Sequence, residues 1–241
     1  MKVTFLGTRG YIDIRTRKHY RHTSTMITYK GKKVMIDCGL DWQRKVWDIN
    51  PDAIVITHAH PDHAWGLKNG SPCRVYATKD SWKLMKDYPI PASQRTIMHP
   101  KKKVRIHGIT FETFPVVHSI IAPGVGYRIT AGRKSIFVVH DLISIDERHE
   151  ALHGCKLYVG DGATIVRPMV RRKGDKLFGH TTIRAQLGWC QKEQVPHAII
   201  THCGTQIVGA NARMVEKKIE KLATDRSVKV QIAYDGMEIK V

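Results

Sequence analysis

The sequence of 241 residues predicts one α/β domain, spanning residues 1–241, in which helices cover the faces of β-sheets. Short apolar and β-branched runs recur along the chain, and segments with helical periodicity lie between them. No linker or internal repeat separates the two kinds of segment. Apolar residues make up 42% of the chain, which is enough material for a sizeable core.

The strand signals are of two kinds. Continuous apolar runs are typical of strands covered on both faces, and alternating runs are typical of strands with one exposed face. The runs are VTFLG, STMITYK, KKVMIDCG, AIVITH, CRVYAT, ITFETFPVVH, YRITAG, SIFVVHD, KLYVGDG, HAIITH and VKVQIAYDGMEIKV. YKGKK and TAGRK are typical of hairpin turns, because glycine supplies the bend.

Three segments between these runs predict helices. NARMVEKKIEKLATD begins with Asn211, which is placed to cap the first turn, and TTIRAQLGWCQKE begins with Thr181 and Thr182, either of which is a candidate cap. KDSWKLMKDY predicts a shorter helix. The expected buried faces are Met214, Val215, Ile219 and Leu222 in the first segment, and Ile183, Leu187 and Cys190 in the second.

The charge is strongly basic. Forty Lys and Arg residues against 21 acidic ones give a net charge of +19. Such a field favours polyanionic partners, including nucleic acid, although a basic surface without any such partner fits the charge equally well.

Several features predict a cytoplasmic protein that does not associate with a membrane. MKVTFLG does not resemble a signal peptide, and no run approaches the roughly eighteen apolar residues of a membrane span. The five cysteines are scattered and form no C-x-x-C pair, which argues against a disulfide framework or a thiolate zinc site.

Polar residues of the kind that bind metals follow five of the apolar runs. Since ligand-binding groups of α/β sheets collect at strand ends, we expect these five residues to address one site. They are His58, His118, Asp141, Asp161 and His202.

The segment THAHPDHAWGL concentrates further candidates. His58, His60, Asp62 and His63 lie within six positions. A lone histidine is more often a packed or surface residue than a ligand. Imidazole pairs at this spacing suit zinc, manganese or iron, and a shared carboxylate can bridge two ions, so the cluster predicts a metal site.

The H-x-H-x-D-H pattern, followed by a histidine, an aspartate and a final histidine at later strand ends, resembles the metallo-β-lactamase superfamily. The resemblance covers nearly the whole chain. It implies a four-layer αββα sandwich of two mixed sheets, with two divalent metal ions at one edge; zinc is the expected metal and manganese the alternative. By position, the first metal's ligands are His58, His60 and His118, the second's are Asp62, His63 and His202, and the bridging carboxylate is Asp141.

A narrower likeness is to the phosphodiesterase branch of that superfamily, through HAHPDHAWGL, VVHS with the later GY, GDGATIVR, GHTT and YDGMEI. This branch includes the phosphoribosyl cyclic phosphate phosphodiesterase of the carbon–phosphorus lyase pathway and, more distantly, ribonuclease Z. The sequence lacks the clustered cysteines of the former. It also lacks a long inserted arm of the kind with which ribonuclease Z grips tRNA, which argues against tRNA processing.

The resemblance implies hydrolysis of a phosphodiester, which could be a cyclic phosphate, a nucleotide or a nucleic acid, by a hydroxide held between two metals. Asp62 would bind a metal and orient the nucleophile or accept its proton. His180 lies before a predicted helix, and the matching histidine of the branch lies beside the substrate phosphate, so we expect it to assist the leaving group. Asp161 is expected to hold a ligand histidine, with a purely structural turn as the alternative.

Two basic segments flank the predicted site, IRTRKHYRH (14–22) and IVRPMVRRKGDK (165–176). Both are expected at its rim, with Tyr11 and Tyr20 available for stacking. A third run, HPKKKVR (99–105), better fits a solvated surface. The predicted substrate-binding residues are Arg15, Arg17, Arg167, Arg171 and Arg172, together with His180.

Alternative functions use the same residues differently. Thioester and lactone hydrolysis require the same metals but leave the basic rim unexplained. A nucleic-acid-binding module with a structural metal is the non-enzymatic alternative. It is the weaker one, because structural sites are usually closed sets of about four ligands. A homodimer is possible, although no segment identifies an interface.

Overall fold

The computed structural model describes residues 1–241 and contains two mixed β-sheets that pack face to face, with helices on both outer surfaces. This is the αββα sandwich that the resemblance implied, and the predicted fold class is confirmed. The terminal strands pair with each other, since Lys2 lies opposite Lys240.

The strands are β1 (Lys2–Gly7), β2 (Ser24–Tyr29), β3 (Lys32–Ile36), β4 (Ala53–Val55), β5 (Arg74–Thr78), β6 (Arg95–Met98), β7 (Lys103–Ile106), β8 (Ile109–Val117), β9 (Gly124–Ala131), β10 (Lys134–Val138), β11 (Ser144–Ile145), β12 (Leu157–Asp161), β13 (Met169–Lys173), β14 (Lys176–His180), β15 (His197–Thr201), β16 (Lys229–Ile232) and β17 (Glu238–Lys240). The helices are α1 (Lys45–Ile49), α2 (Pro61–Ala64), α3 (Lys79–Leu84), α4 (Arg148–Leu152), α5 (Ile183–Lys192), α6 (Thr205–Val208) and α7 (Ala212–Thr224). Single 3₁₀ turns lie at Leu40–Trp42, Trp65–Leu67 and Ala92–Gln94.

The first sheet has the strand order β17-β1-β2-β3-β4-β5-β6. Its strands are antiparallel from β17 to β3 and parallel from β3 to β6. The second sheet has the order β11-β8-β9-β10-β12-β15-β16, with β7 paired to β8. Here the parallel strands run from β10 to β16. The polar residues that follow the strands emerge from the parallel half of each sheet or from β8.

The core lies in three layers. Phe5, Ile27, Phe111 and Val159 are among the buried side chains that pack between the two sheets. The helices α4 to α7 cover the outer face of the second sheet, and the helices α1 to α3 cover the outer face of the first. The central strands are buried on both faces, which explains why their sequences are continuous apolar runs.

Most predicted elements form as expected. All eleven predicted strand runs contain a strand, and Lys30 and Gly31 form the β2–β3 turn with φ of 49° and 77°, as tight hairpins require. Thr182 and Asn211 cap α5 and α7 through their side chains.

No helix has the length and the apolar character that a membrane span needs.

Three differences from the sequence predictions are evident. Met214 was expected in the buried face of α7, yet 73% of it is exposed, because the buried stripe runs through Val215, Ile219 and Ala223 at four-residue spacing. The basic segment 165–176 was not predicted to contain strands, but it contributes most of the hairpin β13–β14. The strands β6, β7 and β11 were also not predicted.

The cap of α7 gives a test of the fold. Asn211 accepts a hydrogen bond from the backbone N–H of Met214. Replacing it with alanine should lower the free energy of unfolding by about 1 kcal/mol, because that donor loses its partner. Urea denaturation measures this difference. Asn211→Ser keeps an acceptor and should retain most of the stability; an equal loss in both variants would contradict the role of the cap.

Candidate metal centre

Loops from both sheets converge at one edge of the sandwich. His58 and His60 follow β4 in the first sheet, and the short helix α2 adds Asp62 and His63. The second sheet contributes residues at or just after the ends of β8, β10, β12 and β15. These residues are His118, Asp141, Asp161 and His202.

The segment that carries Asp62 is positioned by close contact with the backbone of the loop after β3. A Cβ atom at Gly39 would lie 1.9 Å from the carbonyl oxygen of Asp62, so only glycine permits this approach. The loop after β3 can therefore lie directly against α2, where the backbone N–H of Cys38 donates to the carbonyl of His63 at 2.7 Å.

The structure brings the first predicted ligand set together. His58 Nε2 lies 2.9 Å from His60 Nδ1 and 3.4 Å from Asp141 Oδ2. His118 Nε2 lies 3.4 Å from His60 Nδ1 and 3.3 Å from Asp141 Oδ2. The four ligand atoms are within 4.8 Å of one another, which is close enough to surround one cation.

The second predicted set meets the first at Asp141. His63 Nε2 lies 3.2 Å from both Asp62 Oδ2 and Asp141 Oδ2. His202 Nε2 lies 3.2 Å from Asp62 Oδ2 and 3.0 Å from Asp141 Oδ1. Asp141 therefore belongs to both sets, the position expected of a bridging carboxylate.

Hydrogen bonds behind the imidazoles determine which nitrogen faces the centre. His118 Nδ1 donates to the carbonyl of Gly179 at 3.0 Å. His58 Nδ1 lies 3.1 Å from Thr57 Oγ1, whose own proton goes to Asp37. Each bond uses the Nδ1 proton and leaves the Nε2 lone pair directed inward, the arrangement of a histidine ready to bind a metal.

Asp37 is the central residue of this outer layer. Its Oδ2 accepts hydrogen bonds from Thr57 Oγ1 at 2.7 Å, His63 Nδ1 at 2.8 Å and His140 Nδ1 at 2.6 Å. Its Oδ1 accepts from the backbone N–H of Thr57 at 2.7 Å. Burial opposes ionisation, but these donors hold the pKa of Asp37 well below its usual range.

The orientation of His63 shows that the site fits a cation. Since Nδ1 donates to Asp37, the Nε2 of a neutral imidazole carries only a lone pair, and it makes no hydrogen bond although two carboxylate oxygens lie 3.2 Å away. A lone pair facing carboxylates is repulsive unless a proton or a metal ion lies between them. Burial opposes a charge on His63, yet Asp62 and Asp141 raise its pKa well above the usual value, so these carboxylates favour a positive charge at this position.

His202 resembles His63, because burial opposes its charge while carboxylates, Asp141 above all, raise its pKa well above the usual value. The other five ligands have pKa values suited to metal binding. Burial lowers the pKa of His58, His60 and His118 to about 4, so these imidazoles are neutral near pH 7. The surrounding imidazoles outweigh burial at Asp62 and Asp141 and keep the pKa of both carboxylates well below the usual range. Neutral nitrogens and ionised carboxylates are the forms that bind zinc or manganese.

His180 and Asp161 lie beside the two ligand sets. His180 is the last residue of β14, and its Nδ1 donates to Asp161 Oδ2 at 2.7 Å. Asp161 Oδ1 also lies 3.5 Å from His202 Nδ1, so one carboxylate contacts both histidines. Burial lowers the basicity of His180, but Asp161 raises its pKa above the usual value.

A cleft of about 440 Å³ opens over this cluster. Its wall includes Tyr11, Met169 and Thr205 together with five of the seven candidate ligands, but none of the five predicted arginines. His180 lines the cleft, and because Asp161 occupies its Nδ1, Nε2 is the nitrogen available to a bound molecule.

The predicted arginines occupy different positions around the cleft. Arg15 pairs with Asp41 at 3.3 Å and lies over the ring of Tyr20, so it contributes to a neighbouring cluster. Arg17 and Arg167 are exposed and line no part of the cleft. Arg171 and Arg172 lie on β13, where adjacent side chains point to opposite faces of the hairpin.

Sequence reasoning missed the role of Asp37. It follows the apolar run of β3, as the predicted ligands follow theirs, so the same signal was present. His140 hydrogen-bonds Asp37 and Thr25 in the core. Ser119 lies with its Oγ 3.2 Å from His60 Nε2.

Fold and site together define a protein of the metallo-β-lactamase fold. The chain belongs to the β-lactamase superfamily, because the model of the Beta-lactamase superfamily domain matches residues 32–203. The predicted superfamily is thereby confirmed.

Individual relatives share 20–30% of the aligned residues with this chain. Ribonuclease Z of Methanococcus maripaludis is 29% identical over 147 residues, covering 51% of this chain and 46% of that protein. Exodeoxyribonuclease WalJ of Streptococcus pneumoniae is 30% identical over 134 residues, covering 48% and 49%. A crystal structure described as a new diphosphatase from the PhnP family superposes with a TM-score of 0.75 at 20% identity, covering 100% of this chain and 97% of the other. The matched part thus spans about half the length of the two sequence relatives.

The layer behind the ligands can be tested through Asp37. In Asp37→Asn an amide N–H₂ replaces one acceptor oxygen, so either His63 and His140 lose their shared acceptor Oδ2 or the backbone N–H of Thr57 loses Oδ1, and the negative charge beside His63 is removed in both cases. Metal affinity, measured by competition with a chromophoric chelator, should fall by about 10–100-fold. Asp41→Asn is the matched control, since Asp41 pairs with Arg9 and His22 and contacts no ligand. Equal losses in the two variants would contradict this role of Asp37.

Proposed function

We propose that the protein is a metal-dependent phosphodiesterase that acts on a nucleotide or a nucleic acid. The observation that carries the proposal is the arrangement at the cleft floor: two ligand sets share Asp141, and the His180–Asp161 pair lies next to them. We also treat residues 1–241 as one catalytic domain, because its first and last strands pair in the same sheet.

We infer that two divalent cations bind here, zinc or alternatively manganese. His58, His60 and His118 would hold one, Asp62, His63 and His202 the other, and Asp141 both. Such cations neutralise phosphate charge and make water a nucleophile at neutral pH. Seven ligand residues in an open cleft exceed the closed set of about four that a structural site uses, which supports a catalytic role.

Asp62 is suited to orient the attacking water. Both of its contacts with the imidazoles, at 3.2 Å, go through Oδ2, which leaves Oδ1 to accept a hydrogen bond or a proton. Asp62 also lines the cleft, so a water molecule beside the substrate can reach it.

His180 is suited to assist departure of the leaving group. Asp161 fixes its ring through Nδ1, and Nε2 remains available in the cleft. A protonated His180 would donate this proton to the alkoxide as the phosphorus–oxygen bond breaks. Asp161 acts through His180, whose ring it holds by a hydrogen bond, and lies 3.5 Å from His202 Nδ1, so it serves as a positioning residue.

Several features favour a phosphodiester over a thioester or a lactone. The net charge of +19 attracts polyanions, whereas neutral esters gain nothing from it. Both sequence relatives bear the names of nucleases, and the structural neighbour that of a diphosphatase, so all three names refer to phosphate chemistry. Cytoplasmic location and a homodimer remain predictions.

The first test is hydrolysis of bis(p-nitrophenyl) phosphate by zinc- or manganese-loaded protein. We expect turnover that a chelator abolishes and that falls at least about 100-fold in Asp62→Ala, because a ligand and the orienting oxygen are lost. Met214→Ala, an exposed change on α7 away from the cleft, is the control. If metal is demonstrably bound and no turnover occurs, the proposal fails, and thioesters and lactones become the substrates to examine.

The role of His180 can be separated from metal binding by the choice of leaving group. In His180→Gln, cleavage of a dinucleotide, whose alkoxide needs a proton, should slow by about 10²–10⁴-fold. Cleavage of bis(p-nitrophenyl) phosphate should change much less, since p-nitrophenolate leaves without protonation. An equal loss on both substrates, at unchanged metal content, would show that His180 does not act as the acid.

A further inference from the structure

A second cleft adjoins the first at three shared residues. It measures about 380 Å³ and shares His60, His118 and His180 with the main cleft. Its own wall consists of Ser119, Ile120, Ile121, Lys173, Phe178 and Gly179. The candidate ligands His60 and His118 therefore border two spaces, and each space can hold a part of one substrate.

The second cleft combines apolar surface with a cation. Ile121 is 77% exposed although it lies beside the site, and Phe178 is only partly buried. Lys173 at the end of β13 forms no ion pair with any acidic residue. Exposed apolar side chains next to an unpaired cation suit a group with a flat face and an attached negative charge, such as a nucleotide.

The pairing register of the hairpin shows which cations face the site. Met169 lies opposite His180, Arg171 opposite Phe178, and Lys173 opposite Lys176. Directly opposed side chains share a face, and alternate residues of a strand lie on the same face. Since Met169 and His180 line the main cleft and Lys173 and Phe178 the second one, the face that carries them is the one turned toward the site.

This face carries a row of positive charges. Arg171, Lys173 and Lys176 extend along it away from His180, and Arg172 lies on the opposite face. All four are exposed and unpaired, and the only acid of the hairpin, Asp175, lies in its turn. The row of cations thus extends from the main cleft past the second cleft.

We propose that single-stranded nucleic acid binds along this face, with the scissile phosphodiester at the metal ligands and the adjoining nucleotide in the second cleft. The inference rests on the proposed function and specifies its substrate class. A cyclic phosphate would leave the second cleft and the row of cations unused. Ile121 and Phe178 can contact the face of a base only when that base is unpaired, which favours a single strand over a duplex.

Binding to metal-free protein tests the inference without catalysis. Fluorescence anisotropy with labelled single strands of about twelve nucleotides, as RNA and as DNA, and with the matching duplexes, gives the affinities in a chelator-containing buffer. Arg171→Glu and Lys173→Glu should each weaken single-strand binding by roughly tenfold, and the dependence of log K on log salt should fall by about 0.7 for each lost phosphate contact.

Arg172→Glu is the matched control, since it makes the same charge change on the neighbouring residue of the opposite face. It should weaken binding by no more than about twofold, through long-range repulsion alone. Ile121→Asp, an exposed substitution, should weaken binding as strongly as the two changes on the site-facing side. Equal losses in Arg171→Glu and Arg172→Glu, or tighter binding of the duplex, would overturn the inference.

Turnover of bis(p-nitrophenyl) phosphate separates this inference from the function on which it rests. Metal-loaded Arg171→Glu and Ile121→Asp should cleave single strands more slowly than the native protein, whereas Met214→Ala, an exposed change on α7, should cleave both single strands and the small ester at the native rate. Native turnover of the ester without binding or cleavage of any single strand overturns the inference alone. Absence of ester turnover in the native, metal-loaded protein overturns the proposed function as well.

Discussion

The buried carboxylate of Asp37 ties the two sheets together at the edge where the candidate ligands lie. It accepts hydrogen bonds from Thr57 in the first sheet's loop, from His63 on α2 and from His140 after β10. Burying a carboxylate without partners costs several kcal/mol of folding free energy. Asp37 is therefore stable in this position only while the loop with Thr57, the helix α2 and the segment after β10 keep their relative positions. Its φ of 62° is also one that aspartate tolerates better than most residues. The geometry of the whole site depends on this connection.

The ligand cluster concentrates buried polar groups. Imidazole nitrogens and the carboxylate oxygens of Asp62 and Asp141 lie 3.0–3.4 Å apart, and His63 Nε2 makes no hydrogen bond there. The surrounding layers hold them in place, because the strands that precede them are buried on both faces. Stability generated in the core thus maintains a cluster of buried polar groups that bound cations would stabilise further, and such local departures from core packing are usual at functional sites.

The sequence predicts those site residues that lie close together along the chain. It does not predict a residue whose partners are distant in the sequence. His58, His60, Asp62 and His63 stand in one segment, so their density is a local signal. Asp37 obeys the same strand-end rule, but it stands alone in the sequence and its partners come from far along the chain. The pairing of the two sheets is equally non-local. Periodicity predicted the strands, whereas their arrangement in two packed mixed sheets was implied only by the resemblance to a superfamily.

The basic segments show a different kind of limit. All five residues of β13 are exposed, so no buried face imposes an alternating pattern, and the hairpin cannot be read from periodicity. Arg171 and Arg172 look equivalent in the sequence but lie on opposite faces, while Arg15 is turned to Asp41. Net charge therefore indicates the sign of a partner and how fast the partner approaches. Only the strand register indicates which cations a bound chain can contact, because register decides the direction in which each side chain points.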